Sequence, residues 1–151
     1  ELSGSTVLEK GLPFSVFTTA PWPRGDFNAD GTNYDFPNAP SSSIKRKDFT
    51  RAELLTGLFP VSAFPFPTGG TPGDLGRNVF RGPGFARVDL SMAKTFRVTE
   101  RVGVTARMEA FNALNRVNLN APVSDLNSAT FGRVTSAQAP RQFQGSLQVR
   151  F

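Results

Sequence analysis

Asp26, Asn28 and Asp30, spaced two apart and followed by Gly31, offer oxygen ligands at the first, third and fifth positions of a calcium loop, with the glycine that makes its sharp turn. The closing bidentate acid is missing, because the twelfth position is Pro37 and Asp35 comes two residues early. An Asx-rich turn in an exposed loop is the preferred expectation, and no metal site is assigned. Arg87, Asp89, Arg107 and Glu109 form a second charged group on one parity of two strand-like segments. It reads as a catalytic acid pair, as an ion-binding lumen, or as a salt-bridge ladder on a polar, lumen-facing wall. The ladder is preferred: alternating opposite charges neutralise one another and lower the carboxyl pKa values that a general acid needs raised. No catalytic residue is assigned. The chain has no Cys and no His, which removes thiol catalysis, Ser-His-Asp chemistry and the usual thiolate and imidazole metal sites. GRNVFRGPG at 76–84 lacks a Lys-Ser/Thr ending and a following helix, so it is no phosphate loop, and no cofactor is expected. Trp22 and Tyr34 suit either a membrane interface or a ligand contact.

The elements that must carry these residues are strands. In RQFQGSLQVRF (141–151), Phe143, Leu147, Val149 and Phe151 share a parity, with Gly145 as a gap, against Gln142, Gln144, Ser146, Gln148 and Arg150. Val88, Leu90, Met92 and Phe96 alternate with Arg87, Asp89, Ser91, Ala93 and Thr95. After a tight break at Thr99–Glu100, Val102, Val104, Ala106, Met108 and Ala110 oppose Arg101, Thr105, Arg107 and Glu109. Residues 2–19 alternate imperfectly and are read as one long strand, with Gly11 and Pro13 at a bulge or bend. The expected strands are therefore 2–19, 85–98, 101–112 and 141–151. Long connections of 20–84 and 113–140 lie between them. The first connection has no sustained period, apart from a turn or two of helix within Asp48–Leu58 opened by an Asp48 cap. The second is Asn-rich at 111–120, with a short strand near Phe131–Thr135.

Among the 151 residues no run of about 18 apolar residues occurs, which excludes a transmembrane helix but not a β-barrel, whose strands need only about 9–11 alternating residues. The net charge of +5 resides in the second half: 10 Lys/Arg against 4 Asp/Glu from residue 81 on, and 7 against 8 before it. Those arginines are scattered singly along alternating segments rather than clustered, so nucleic acid is not the expected partner. Alternation separated by long, short and long connections is the arrangement of an outer-membrane barrel, with short periplasmic turns and long extracellular loops. The fold class expected is all-β: about four antiparallel amphipathic strands forming part of a transmembrane β-barrel, which the resemblance given next makes its C-terminal part.

GRNVFRGPGFARVDLSMAKTFRV at 76–98, ARMEAFNALNRVNLNAP at 106–122 and FGRVTSAQAPRQFQGSLQVRF at 131–151 resemble the C-terminal strands of TonB-dependent outer-membrane receptors. The likeness is greatest to the group that carries a carboxypeptidase-regulatory-like domain ahead of the plug. GLPFSVFT at 11–18 and DFNADGTNYDFPN at 26–38 extend it. The resemblance implies a barrel of about 22 strands around a plug, in the outer membrane of a Gram-negative-type bacterium. It implies energised uptake of a siderophore, vitamin or glycan. The partners it implies are the rest of the protein's own barrel and plug, the barrel-assembly machinery, a TonB-type energising complex and outer-membrane lipid. Residue 1 is Glu rather than Met, and the chain is expected to be a segment of such a transporter, unable to transport alone. Phe143, Leu147, Val149 and Phe151 resemble the signal read by the barrel-assembly machinery, with Gly145 in place of the usual apolar residue. Two other readings compete. One is a soluble β-sandwich binding module using the acidic loop for calcium or glycan, which requires Val88, Leu90, Val104 and Leu147 to be buried against a second sheet. The other is a non-transporting surface protein or adhesin on the same barrel.

Overall fold

A computed structural model describes residues 1–40 and 43–151. The elements are β1 (Leu2–Glu9), β2 (Pro13–Phe14), α1 (Arg51–Thr56), a 3-10 turn (Val61–Ala63), β3 (Phe80–Arg81), β4 (Phe85–Arg97), β5 (Gly103–Phe111) and β6 (Gln142–Arg150). They belong to two compact units. One comprises Glu1–Lys10, Gly84–Asn118 and Gln138–Phe151, and the other comprises Gly11–Pro83 and Leu119–Ala137.

The first unit is a four-stranded antiparallel sheet in the order β1-β4-β5-β6. The strands expected at 85–98, 101–112 and 141–151 are present to within two residues at each end. β4 and β5 are joined at 98–102, where the Thr99 hydroxyl accepts from the Arg101 and Val102 N–H groups (3.3 and 3.0 Å) and the Val98 N–H donates to the Val102 carbonyl (2.9 Å). This serine/threonine-type turn needs no glycine at its tip. At the opposite end, Glu9 pairs with Phe85 and Phe111 with Gln142, so every long connection leaves the sheet from the same end.

The expectation of one strand over 2–19 is corrected. β1 stops at Glu9, and the next strand residues, Pro13 and Phe14, pair with Arg81 and Phe80 in a separate two-stranded sheet. The cause is at Gly11, where a Cβ would lie 1.8 Å from the Gly82 carbonyl oxygen; only glycine lets the backbones pass. Pro13 then supplies no N–H to continue the ladder. The period of two survives the break but changes its use. Leu2 and Leu8 are 78% and 75% exposed, whereas Phe14, Val16 and Thr18 on the same parity are buried.

The second unit holds the buried core. Phe14, Val16, Phe59, Phe64, Leu75, Phe80, Leu126 and Phe131 cluster there, with Phe59–Phe80 ring centroids 4.8 Å apart and Phe59–Phe64 edge-on at 5.5 Å. The connection expected to be structureless at 20–84, of which residues 41 and 42 lie outside the described residues, thus packs around aromatic side chains instead of a repeating strand or helix pattern. The helix expected within Asp48–Leu58 forms at Arg51–Thr56, but its cap is Thr50, not Asp48. The Thr50 hydroxyl accepts from the Glu53 N–H, and Glu53 Oε2 accepts from the Thr50 N–H at 2.7 Å. Gly57, at φ +125°, closes the helix. Its last turn is tied to the second connection by Val134 N–H to the Leu54 carbonyl (2.8 Å) and Leu58 N–H to the Gly132 carbonyl (2.9 Å). No strand forms at Phe131–Thr135; the nearby ladder contact is a single bridge, Leu119 with Ala137.

The Glu53 carboxyl is pulled down to about 2 from an ordinary 4.5, chiefly by the Thr50 N–H and then by Lys45, whose Nζ lies 3.0 Å away. A carboxyl lowered in the folded state stabilises at pH above its unfolded value and ceases to as pH falls through the folded one. The expected result of an NMR titration is a Glu53 midpoint near 2 that moves part of the way back toward 4.5 in Lys45→Met, which removes the second cause and leaves the Thr50 N–H in place; an unshifted midpoint in the parent protein would contradict the capping box.

Candidate functional site

The sheet has two chemically distinct faces, and its register assigns every side chain to one of them. Leu90, Ala110 and Phe143 stand in one row, followed by Met92, Met108 and Gly145, then Lys94, Ala106 and Leu147, then Phe96, Val104 and Val149. Leu2 extends the Met92 row across β1, and Leu8 lies beside Ala86 on the same side. This face is apolar and open: Leu90, Met92, Met108, Phe143 and Leu147 are 46–76% exposed. The burial that a sandwich demands of Leu90 and Leu147 is therefore not found. An exposed apolar surface this continuous is not stable in water and marks a membrane or interaction face.

The opposite face carries Ser3, Ser5, Ser91, Thr95, Thr105, Gln144, Ser146 and Gln148, with Val7, Ala93 and Phe111 among them. The Thr95 and Thr105 hydroxyls meet across the ladder at 2.9 Å. Arg87, Asp89, Arg107 and Glu109 all lie on this face. They form two pairs along the strands rather than one cross-strand ladder: Arg87 Nε–Asp89 Oδ1 at 2.7 Å and Arg107 Nη1–Glu109 Oε1 at 3.7 Å. Across the ladder Glu109 stands opposite Ser91 and Arg107 opposite Ala93. Asp89 also accepts the Asn112 N–H at 2.8 Å.

Asn112 and Asn118 hold the end of the sheet, a role that strand alternation does not mark. Both are buried, at the end of the sheet where β5 stops. Asn112 takes the left-handed conformation (φ +50°), and its amide donates to the Arg116 carbonyl and accepts the Arg116 N–H. Asn118 accepts the Ala86 N–H (3.0 Å) and donates to the Ala86 carbonyl (2.9 Å), so a side-chain amide stands in for a strand residue beyond the end of β5. The sequence signal was the Asn density at 111–120, which marked the turn but not this pairing. Phe85, Arg87, Phe111, Asn112, Asn118 and Gln142 line a hollow of about 290 Å³ on the polar side, with the Arg87 guanidinium 5.7 Å from the Phe111 ring centre. Asn118→Ala is expected to lower stability by about 1–3 kcal/mol, the cost of leaving buried backbone polar groups without partners. A urea midpoint unchanged from the parent would show that water replaces the amide.

In the second unit, Asp26, Asn28 and Asp30 act on their own turn. Asp30 Oδ1 accepts the Thr32 N–H (2.7 Å), Asn28 Oδ1 the Asp30 N–H (3.2 Å) and Asp26 Oδ1 the Gly31 N–H (3.2 Å). The Thr32 N–H, with help from the Asn28 amide, holds the Asp30 carboxyl below its ordinary range. Phe143, Leu147, Val149 and Phe151 are all exposed, the first three on the apolar face of β6, an outer strand paired only with β5. Tyr34 stacks on Phe17 at 4.5 Å, and Trp22 covers Gly69. Among the described residues no helix is long and apolar enough to cross a membrane.

Antiparallel strands with one open apolar face and one polar face are the wall of a membrane β-barrel. The chain belongs to the family described as outer membrane beta barrel domain, whose profile matches residues 1–144. The protein is thus an outer-membrane protein. No curated protein and no solved structure matches it.

Proposed function

We propose that this segment is the C-terminal part of the barrel of a TonB-dependent outer-membrane transporter. The observation that carries the reading is the asymmetry of the sheet's two ends. One end has only the turn at 98–102, and the other releases both long connections, which fold into a unit with its own aromatic core. Tight turns on the periplasmic side and long extracellular connections are the pattern of outer-membrane barrels in general, such receptors included. On this reading the polar face lines the lumen, with Arg87, Asp89, Arg107 and Glu109 on its wall, and the hollow beside Arg87 faces incoming substrate. Phe143, Leu147, Val149 and Phe151 then present the outer strand to the barrel-assembly machinery by edge pairing. The resemblance of 76–98, 106–122 and 131–151 to receptor strands is what favours this reading over an adhesin on the same barrel.

The test uses the full-length protein that contains this chain. Purified in detergent, it should bind the periplasmic domain of the cell's own TonB-type protein, and its substrate uptake should stop when that protein is deleted. A folded outer-membrane barrel that neither binds nor responds to the energising protein would overturn the transport reading in favour of a surface protein.

A further inference from the structure

Lys94 is the one charged side chain on the apolar parity of the four strands. Its ammonium lies 5.3 Å from the centre of the Phe96 ring, and it makes no hydrogen bond or ion pair among the described residues. A cation facing hydrocarbon is costly at mid-depth and tolerated near the interface, which a long lysine reaches by extending along apolar neighbours. The position allows this. Lys94 is three residues from the Arg97–Gly103 pair that ends the ladder, about 7 Å of depth for a strand rising ~3.3 Å per residue at a barrel tilt.

Beside it lies a groove of about 650 Å³ bordered by Met92, Phe96, Met108 and Leu147 and floored at Gly145. Nothing in the backbone demands glycine there. A Cβ would meet no atom nearer than the Arg107 carbonyl oxygen at 4.0 Å, and its φ is not among the left-handed values. Gly145, with Ala106 beside it, leaves a channel between the larger side chains of the apolar face, and Lys94 lines it. We propose that this groove holds an acyl chain of one anionic glycerophospholipid whose phosphate is bound by Lys94. Assignment to the phospholipid leaflet rests on the proposed sidedness, in which the 98–102 turn is periplasmic. The other leaflet would present lipopolysaccharide instead.

The experiment is native mass spectrometry of the full-length protein in detergent, on the population shown by heat-modifiable gel migration to be folded. It is titrated with phosphatidylglycerol, with phosphatidylcholine of the same chains and, separately, with lipopolysaccharide. The parent should retain phosphatidylglycerol about fivefold better, the contribution expected of one lysine at an anionic headgroup. Lys94→Gln should bring the two lipids to parity, Lys94→Arg should keep the preference, and Gly145→Leu should reduce retention of both by filling the groove. A preference that survives Lys94→Gln, or retention that survives Gly145→Leu, overturns the site. Preferential, Lys94-dependent retention of lipopolysaccharide overturns the choice of lipid. Sidedness is read separately. This chain contributes no Cys of its own, and with the parent protein's labelling subtracted, a Thr99→Cys variant labelled by an impermeant maleimide only after the outer membrane is permeabilised supports a periplasmic turn, whereas added labelling in intact cells removes the basis for the leaflet whatever the lipid data show.

Discussion

Leu90→Arg is expected to destabilise the folded barrel by about 2–4 kcal/mol, the cost of an arginine near the bilayer midplane on a lipid-facing strand position. Leu90 is suited to the measurement because it sits near the middle of β4, in the row with Ala110 and Phe143, and is 46% exposed on the apolar face. Its neighbour provides the control. Ser91 points to the polar face opposite Glu109, where an arginine gains an acidic neighbour and stays out of lipid. Ser91→Arg should therefore change stability by less than about 1 kcal/mol. Urea unfolding of the full-length protein from phospholipid bilayers reads both. Equal costs at 90 and 91 would mean that the two faces do not separate lipid from water, and the barrel orientation would have to be abandoned.

Phe80→Ala should cost about 3–5 kcal/mol, because the side chain is fully buried and the ring is packed by Phe14, Phe59 and Phe64 with centroids 4.8–6.0 Å away. The loss falls on the unit formed by the long connections, since Phe80 pairs with Phe14 there and not in the four-stranded sheet. The expected result is rapid protease cutting within 11–83 while the strands remain protected and the barrel remains heat-modifiable. Leu12→Ala, at a side chain 73% exposed, should leave the digestion pattern unchanged. Cutting of Phe80→Ala at the parent rate would show that the aromatic cluster does not hold the connections together.

Much of the sheet was legible because a strand's period is two and its apolar residues outnumber the exceptions. Three of four strands, the tight turn and the long connections follow from parity alone. The first strand was overextended for an informative reason. Leu8, Leu12, Phe14 and Val16 keep one parity, and parity cannot reveal that the backbone turns between them. That turn depends on Gly11 passing Gly82, a contact across some 70 residues. The helix was foreseen but its cap misplaced, since Asp48 and Thr50 are both capping types and only the geometry shows Thr50 engaging Glu53. The charged group was foreseen on one face. Its division into two along-strand pairs depends on register, which places Ser91 and Ala93, not Asp89 and Arg87, opposite Glu109 and Arg107.

The sequence by itself determined which residues share a face, because alternation is a property of the extended chain and needs no partner. It therefore determined an all-β amphipathic wall without Cys or His chemistry. Tertiary structure alone decided that the Phe- and Pro-rich connections fold around a core, because aromatic clustering brings together residues from 14 to 131 with no local period to announce it. It likewise decided that Asn118 serves as a strand residue for Ala86, and that Lys94 and Gly145 border one groove. Those relations exist only once β4, β5 and β6 are in register.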